Sequence, residues 1–149
     1  MIVAKKKVRL LINNMLSPKK TKFRKSHKLR RGGKATRKNS LSFGSYGLKS
    51  LESHWISARQ IEAARRVISR YLQKSGKMWI RIFPDAPVTA KGGEIPMGKG
   101  KGSIDHYVAK IKAGTVMFEI EGVSEAEAKK ASEGAAHKLP IKCIFIKKQ

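Results

Sequence analysis

The stretch SARQIEAARRVISRYLQKSG, residues 57–76, followed directly by KMWIRIF, residues 77–83, predicts a helix joined to a strand. Ser57 and Gln60 have the spacing of a capping box, in which each side chain bonds the backbone N–H of the other residue. The helix is therefore expected to begin there and to end at Gly76. Its apolar stripe, at the spacing of 3.6 residues per turn, consists of Ile61, Ala64, Ile68, Tyr71 and Leu72. In the strand, Met78, Ile80 and Ile82 are expected to face the core.

Basic and aromatic side chains occupy the opposite faces of these two elements. Arg59, Arg66 and Arg70 fall across the helix from its apolar stripe, with Glu62 as the only acid nearby. A solvated face explains them, but their excess of positive charge favours contact with RNA. On the strand, Trp79, Arg81 and Phe83 face outward. They are suited either to stacking on bases or to lying beneath another loop, and the sequence leaves both open.

Further along the chain, residues 106–121 alternate on both sides of Ala113-Gly114 and predict a β-hairpin. In that register Lys110 and Glu119 are diagonal neighbours, which assigns Lys110 and Lys112 a structural role. SEAE, residues 124–127, is a second capping box and predicts a helix to about residue 138, with a stripe of Ala128, Ala131, Ala135 and Leu139. IKCIFIKK, residues 141–148, is apolar on both faces and predicts a strand in the interior of the sheet.

Toward the N-terminus, residues 41–51 read as extended chain, and Gly44 and Gly47 indicate bulges or close backbone approach. The order strand, helix, strand, hairpin, helix, strand predicts an α+β two-layer sandwich, mostly antiparallel, with two helices on one sheet. The length of 149 residues suits one such domain, here residues 41–149, with a tail.

The charge is strongly uneven along the chain. Lys and Arg number 34 against 10 Asp and Glu, a net charge of +24, and the first acid is Glu52. Residues 15–40 form a basic arm whose bases share no helical or strand face, which is typical of a solvated tail that becomes ordered when phosphates neutralise it. The expected partner is a large polyanion, with nucleic acid favoured over an anionic membrane.

Several classes of function are disfavoured. The single cysteine, Cys143, excludes a disulfide framework, the four histidines share no metal-ligand spacing, and no apolar run is long enough to cross a bilayer. Residues 93–100, GEIPMGKG, match the P-loop frame but place Gly100 where that motif needs a magnesium-binding hydroxyl. We therefore predict no catalytic residue, metal, cofactor, membrane contact or homo-oligomer. The glycine-rich stretch 91–103 is expected to be a functional loop.

Seven motifs in order carry a resemblance to a known family: MLSPKKTKFRK (15–25), SFGSYGLKSL (42–51), ARQIEAARR (58–66), WIRIFPDAPVTAK (79–91), MGKGKGS (97–103), MFEIEGVSE (117–125) and KLPIK (138–142). Together they resemble bacterial-type large-subunit ribosomal protein sixteen from residue 15 to about residue 147. The resemblance implies an α+β sandwich with a hammerhead-like β element. It also implies a role as a structural constituent of the large subunit that binds rRNA and helps shape the aminoacyl-tRNA site near the peptidyl-transferase centre.

The residues that this resemblance assigns to rRNA are Lys19, Lys20, Lys22, Arg24, Lys25, Lys28, Arg30, Arg31, Lys34, Arg37, Lys38, Arg59, Arg65, Arg66, Arg70 and Arg81. The loop residues that it places near tRNA are Lys91, Met97, Gly98, Lys99, Gly100, Lys101 and Gly102. The implied partners are large-subunit rRNA, aminoacyl-site tRNA with peptidyl-site tRNA as an alternative, and neighbouring large-subunit proteins.

The sequence departs from the family pattern at three places. Pro96 stands where family members commonly have an arginine, residues 1–14 precede the usual first position, and residues 29–39 are unusually basic. These departures favour a ribosome of the mitochondrial matrix, with the bacterial cytoplasm and the plastid stroma as alternatives. An extra-ribosomal basic RNA-binding protein or RNA chaperone is the alternative function.

Overall fold

The computed structural model describes residues 16–27, 32–72 and 76–148, and these contain two helices and seven strands. In chain order the elements are β1 (Tyr46–Ser50), β2 (His54–Ser57), α1 (Ala58–Leu72), β3 (Lys77–Ile80), β4 (Ala86–Ala90), β5 (Ser103–Ile111), β6 (Val116–Glu121), α2 (Glu125–Ala136) and β7 (Cys143–Lys147). The predicted α+β class is therefore confirmed. Strands β2 and β4 were not predicted.

The strands form two antiparallel sheets rather than one. A four-stranded sheet has the order β3-β6-β1-β7, and a three-stranded sheet has the order β2-β5-β4. Strand β6 lies inside the larger sheet and is buried along five of its six residues. The two helices pack against each other. Helix α2 lies on β1 and β7 of the larger sheet, and α1 contacts β3 of that sheet together with β2 and β5 of the smaller one, with the core between them.

The predicted hairpin of residues 106–121 is wrong, because β5 and β6 belong to different sheets. The turn exists, with Gly114 at a φ of 89°. Its backbone groups, however, bond to Ser50 at the end of β1: Gly114 N donates to Ser50 O at 2.8 Å, and Ser50 Oγ donates to Lys112 O at 2.9 Å. Beyond the turn, β5 pairs with β2 and β4 while β6 pairs with β1 and β3, so the predicted pairing of Lys110 with Glu119 is lost.

Helix α1 begins as the sequence predicts. Ser57 N donates to Gln60 Oε1 at 2.9 Å and Gln60 N donates to Ser57 Oγ at 3.4 Å, which forms the capping box. Four of the five stripe residues are buried, whereas Tyr71 is 46% exposed. A Cβ added at Gly134 of α2 would lie 2.9 Å from Val67 Cγ1 and 3.3 Å from Tyr71 Cε2. The helices therefore approach closely there and leave the Tyr71 ring at the edge of their interface.

Helix α2 also begins at its predicted capping box. Ser124 N donates to Glu127 Oε2 at 3.1 Å, and Glu127 N donates to Ser124 Oγ at 3.4 Å. The Ser124 hydroxyl also donates to Glu127 Oε2 at 2.8 Å, and this bond, together with that from Ser124 N, holds the pKa of Glu127 below its usual range. The predicted stripe of Ala128, Ala131, Ala135 and Leu139 is buried. Since small residues allow close approach, this stripe is where α2 meets the core.

Strand β7 was expected inside the sheet and is instead at its edge, paired with β1 alone among the described strands. Its residue Ile144 is 46% exposed, so apolar residues on both faces do not require two neighbouring strands. Burial of Cys143 raises the pKa of its thiol to about 11. The thiol donates a weak hydrogen bond to Ile141 O at 3.4 Å, and its raised pKa keeps it protonated and poorly reactive at neutral pH.

Candidate nucleic-acid interface

The first part of the basic arm, residues 16–27, carries exposed cations on the outside of the domain. Lys19, Lys20, Lys22 and Arg24 are exposed, and Lys22 Nζ lies 5.5 Å from the centre of the Phe23 ring. That ring is itself 72% exposed. The segment thus presents several positive charges and one aromatic surface to a partner. The predicted contacts Lys28, Arg30 and Arg31, and the extension 1–14, lie outside the described residues.

The second part of the arm is bonded to the domain. Ala35 N donates to Ala113 O at 2.9 Å, and Val116 N donates to Lys38 O at 2.7 Å. Ser53 Oγ adds a bond to Gly33 O at 3.0 Å. The side chains of Lys34, Arg37 and Lys38 stay exposed. The expectation of a solvated tail is therefore wrong for residues 33–38, because backbone hydrogen bonds fix this segment on the turn between β5 and β6.

Helix α1 exposes a row of arginines, of which Glu62 engages two. Arg65 donates to the Glu62 carboxylate at 2.7 and 2.8 Å, and Arg66 Nε donates at 3.0 Å. The Arg65 hydrogen bond is the main reason that the pKa of Glu62 lies below its usual range, with burial opposing it. Arg59 and Arg70 are exposed and make no hydrogen bond or ion pair with another described side chain. These two therefore carry the uncompensated charge of the helix.

The glycine-rich loop projects between β4 and β5. Gly98, Lys99 and Gly100 have φ angles of 97°, 50° and 95°, a run of left-handed backbone that only flanking glycines allow without steric cost. Met97 is 82% exposed beside them. The Lys91 ammonium donates to Gly98 O and holds the base of this turn. A strand, β5, follows the loop where a P-loop needs a helix, so the nucleotide-binding interpretation fails on structure as well as on sequence.

The loop and the arm hold each other through two lysines. Lys25 Nζ donates to Lys101 O at 2.7 Å, and the Lys101 ammonium donates in turn to Ser26 O. A Cβ at Gly102 would lie 2.4 Å from Ala90 O, so the loop also closes tightly at its base. Lys101 is therefore occupied by the arm, whereas the side chain of Lys99 makes no hydrogen bond within the described part of the chain. This arm–loop contact could not be read from the sequence, because it joins residues 76 positions apart.

Arg81, unlike the exposed cations of the arm, has its charge paired inside the domain. Its guanidinium forms an ion pair with Glu119, and its side chain is 14% exposed. Glu119 is fully buried and also accepts bonds from Phe43 N at 2.6 Å and Gly44 N at 2.9 Å. Burial alone would raise the pKa of Glu119, but the backbone donors and Arg81 outweigh it and lower the pKa. Arg81 thus supports the fold.

The Phe43 ring covers this ion pair. It lies 4.9 Å from the Arg81 guanidinium and stacks on Trp79 with ring centres 6.1 Å apart. Of the two interpretations left open for the outward-facing residues, the structure supports burial beneath another loop for Trp79 and Arg81, whereas Phe83 is 45% exposed. Sequence analysis missed the role of Glu119, whose one signal is its position as an acid inside the apolar run VMFEI, residues 116–120.

Within residues 16–27, 32–72 and 76–148, no group of three or more His, Cys, Asp or Glu side chains is arranged to hold a metal ion. The helices in those same ranges are also too short or too polar to span a membrane.

Comparison with known proteins agrees with this basic, loop-bearing α+β domain. The sequence profile of a family described as ribosomal protein L16p/L10e matches residues 18–146. The chain belongs to this family. The large ribosomal subunit protein uL16c of Gracilaria tenuistipitata is 55% identical over 135 residues, which cover 91% of this chain and 100% of the relative. The uL16c proteins of Thalassiosira pseudonana and Cyanidium caldarium are each 57% identical over 132 residues, covering 89% of this chain and 96% and 94% of the relatives.

This member of the L16p/L10e family is a structural, non-enzymatic constituent of the large ribosomal subunit, and its partners are rRNA and other ribosomal proteins. The resemblance drawn from the seven motifs is confirmed. The relatives named above are organellar, chloroplast forms, so the comparisons support an organellar ribosome and do not confirm the mitochondrial one.

Proposed function

We propose that two surfaces of this chain bind large-subunit rRNA: the basic arm and the exposed face of α1. The arm contributes its exposed cations and the helix contributes mainly Arg59 and Arg70. The exposed cations of the arm are Lys19, Lys20, Lys22, Arg24, Lys34, Arg37 and Lys38. Arg66 adds to this face, although Glu62 neutralises part of its charge. Each cation that neutralises a phosphate increases the salt dependence of binding, so several such contacts give an attachment that only high salt reverses.

We further propose that the glycine-rich loop lies beside aminoacyl-site tRNA. The supporting observation is the reciprocal bonding of Lys25 and Lys101, through which an rRNA-bound arm would hold the loop in place. Lys101 then acts as a positioning residue. Lys99, held in a left-handed turn between two glycines, and the exposed Met97 are the side chains available to tRNA. Pro96 supplies no guanidinium, so Lys99 carries the charge at the tip.

The test compares Lys99→Ala and Lys101→Ala in ribosomes whose large subunits contain only the variant chain. Lys99→Ala should weaken aminoacyl-tRNA binding while leaving the amount of chain in large subunits unchanged. Lys101→Ala should weaken tRNA binding and also increase the susceptibility of the loop to proteolysis in the free protein, because it removes the bond to Ser26 O and leaves only that from Lys25 to the backbone of residue 101. Normal tRNA binding with both variants would refute the proposed role of the loop.

The finer location is also a proposal. The departures at residues 1–14 and 29–39 favour the mitochondrial matrix, whereas the chloroplast relatives favour the plastid stroma. Quantitative mass spectrometry of large subunits purified separately from mitochondria and from plastids distinguishes the two. Enrichment in the plastid fraction would contradict the mitochondrial assignment, and enrichment in the mitochondrial fraction would contradict the plastid one.

A further inference from the structure

A cleft of about 760 Å³ lies between the second part of the arm and the two sheets. It is lined by residues 35–38 on one side and by residues 109–112, at the end of β5 and just beyond it, on the other, with Ile82, Phe83 and Asp85 between them. The arm residues at its edge belong to the surface proposed above to bind rRNA, whereas Phe83, Asp85 and residues 109–112 do not. This volume is within the usual range for a small-molecule site and leaves room for one nucleotide.

Two aromatic side chains line the cleft. Phe83, which is 45% exposed, follows β3, and Trp55 comes from β2. A large apolar ring at the mouth of a cleft is normally covered by a partner, and here the surrounding charge is positive rather than neutral. An unpaired base fits such a surface, because every base has a flat face that stacks on aromatic side chains.

The cleft carries cations, which favour an anionic ligand, and one carboxylate, which can accept hydrogen bonds from that ligand. Arg37, Lys110 and Lys112 line the cleft, are exposed and form no ion pair with another described residue. Among these cations lies one acid, Asp85, whose carboxylate likewise has no hydrogen-bond or ion-pair partner in the described part of the chain. The cations match the phosphates that flank a nucleotide, and the carboxylate requires a partner that donates hydrogen bonds.

We propose that this cleft binds one unpaired guanosine of rRNA, a proposal that rests on the rRNA-binding function above. The base lies against Phe83, its flanking phosphates face Lys110 and Lys112, and its N1–H and N2–H donate to the two oxygens of Asp85. Guanine presents two adjacent donors to a carboxylate. Adenine and cytosine present one donor beside an acceptor, and uracil presents one donor between two acceptors. The acid therefore gives the cleft a base preference that lysines alone cannot give.

The test measures binding of the full-length chain to single-stranded uridine hexanucleotides with one central guanosine, adenosine or cytidine, by fluorescence anisotropy at physiological salt. We expect the guanosine probe to bind about ten-fold more tightly than the others, as for a good bidentate base contact. Asp85→Asn should reduce that preference to within about two-fold without weakening binding of the adenosine and cytidine probes. Phe83→Ala should weaken all probes. Glu133→Gln, which removes an exposed acid on α2, is the matched control.

Two results would overturn the proposal: equal affinity of the wild-type chain for all probes, or a guanosine preference that survives in Asp85→Asn. Amide shifts should accompany the guanosine probe at residues 35–38 and 109–112, and shifts confined to residues 19–25 would also contradict it. The ribosomal role is tested separately by incorporation of the wild-type chain into large subunits. An incorporated chain without base preference would refute the cleft proposal alone.

Discussion

Replacement of Glu119 by glutamine should destabilise the domain more than any other conservative change of an acid in this chain. Glu119 is fully buried, pairs with Arg81, and accepts bonds from the backbone N–H groups of residues 42–44. Glutamine keeps the side-chain volume but removes the charge. Its NH2 group also replaces one acceptor oxygen with a donor, which then faces the backbone N–H groups and the Arg81 guanidinium. Breaking a buried charge pair from one side costs about 3–5 kcal/mol, and we expect about 3 kcal/mol because one acceptor oxygen is kept.

The assay is thermal and urea unfolding of the full chain, followed by circular dichroism. A loss of about 3 kcal/mol corresponds to a melting temperature about 10 °C lower for a chain of this length. Glu133→Gln, an exposed change on α2, should stay within about 0.5 kcal/mol of the wild type. The urea m-value should be unchanged, since the folded domain buries the same surface.

The pH dependence gives a second check on the same residue. The pKa of Glu119 is lowered in the folded state, so its contribution is complete above 4.5, the ordinary pKa of glutamate, and is lost as the pH falls through the folded value. The stability gap between wild type and Glu119→Gln should therefore narrow below about pH 4.5. A gap under about 1 kcal/mol at pH 7, or one that widens in acid, would refute the reasoning.

Three further predictions concern other parts of the molecule. Arg59→Ala combined with Arg70→Ala should reduce incorporation of the chain into large subunits. The free energy of unfolding should change by less than about 1 kcal/mol, because neither side chain pairs with a described residue. A large fall in melting temperature would show instead that these arginines stabilise the fold. Gly44→Ala should destabilise by about 1–3 kcal/mol, because its Cβ would lie 2.6 Å from Ile120 O; unchanged urea unfolding would contradict this. Cys143, with a pKa of about 11, should react with iodoacetamide at pH 8 about 100-fold more slowly in the native than in the unfolded chain, because less of it is thiolate. Equal rates in the two states would contradict the raised pKa.

The features that the sequence predicted well are local ones. Both helices begin at their capping boxes, because the residues that form each box are three positions apart and need no tertiary partner. The stripe on α2 was also predicted correctly, since helical periodicity fixes which side is buried. The close approach at Gly44 and Gly47 was visible as glycines in an extended segment, and Cβ atoms there would lie 2.6 and 2.5 Å from their neighbours.

The features that the sequence did not predict depend on distant parts of the chain. The alternation around the turn at Gly114 is compatible with a hairpin. In the structure, however, Gly114 N and Lys112 O of this turn form hydrogen bonds with Ser50, some 60 positions earlier in the chain. The edge position of β7 depends on which strands surround β1. In the candidate interface, charge density predicted the arm and α1 as contacts and glycine content predicted the loop, whereas the contact between Lys25 and Lys101 required the folded chain.

Binding of rRNA by the arm and the exposed face of α1, with the loop facing tRNA, can be observed in the structure of the assembled large subunit with aminoacyl-site tRNA bound. In that structure we expect rRNA phosphates within hydrogen-bonding distance of Arg59 and Arg70, and Lys99 as the loop side chain nearest to tRNA. Arg59 and Arg70 facing solvent, or the loop pointing away from the tRNA site, would contradict it.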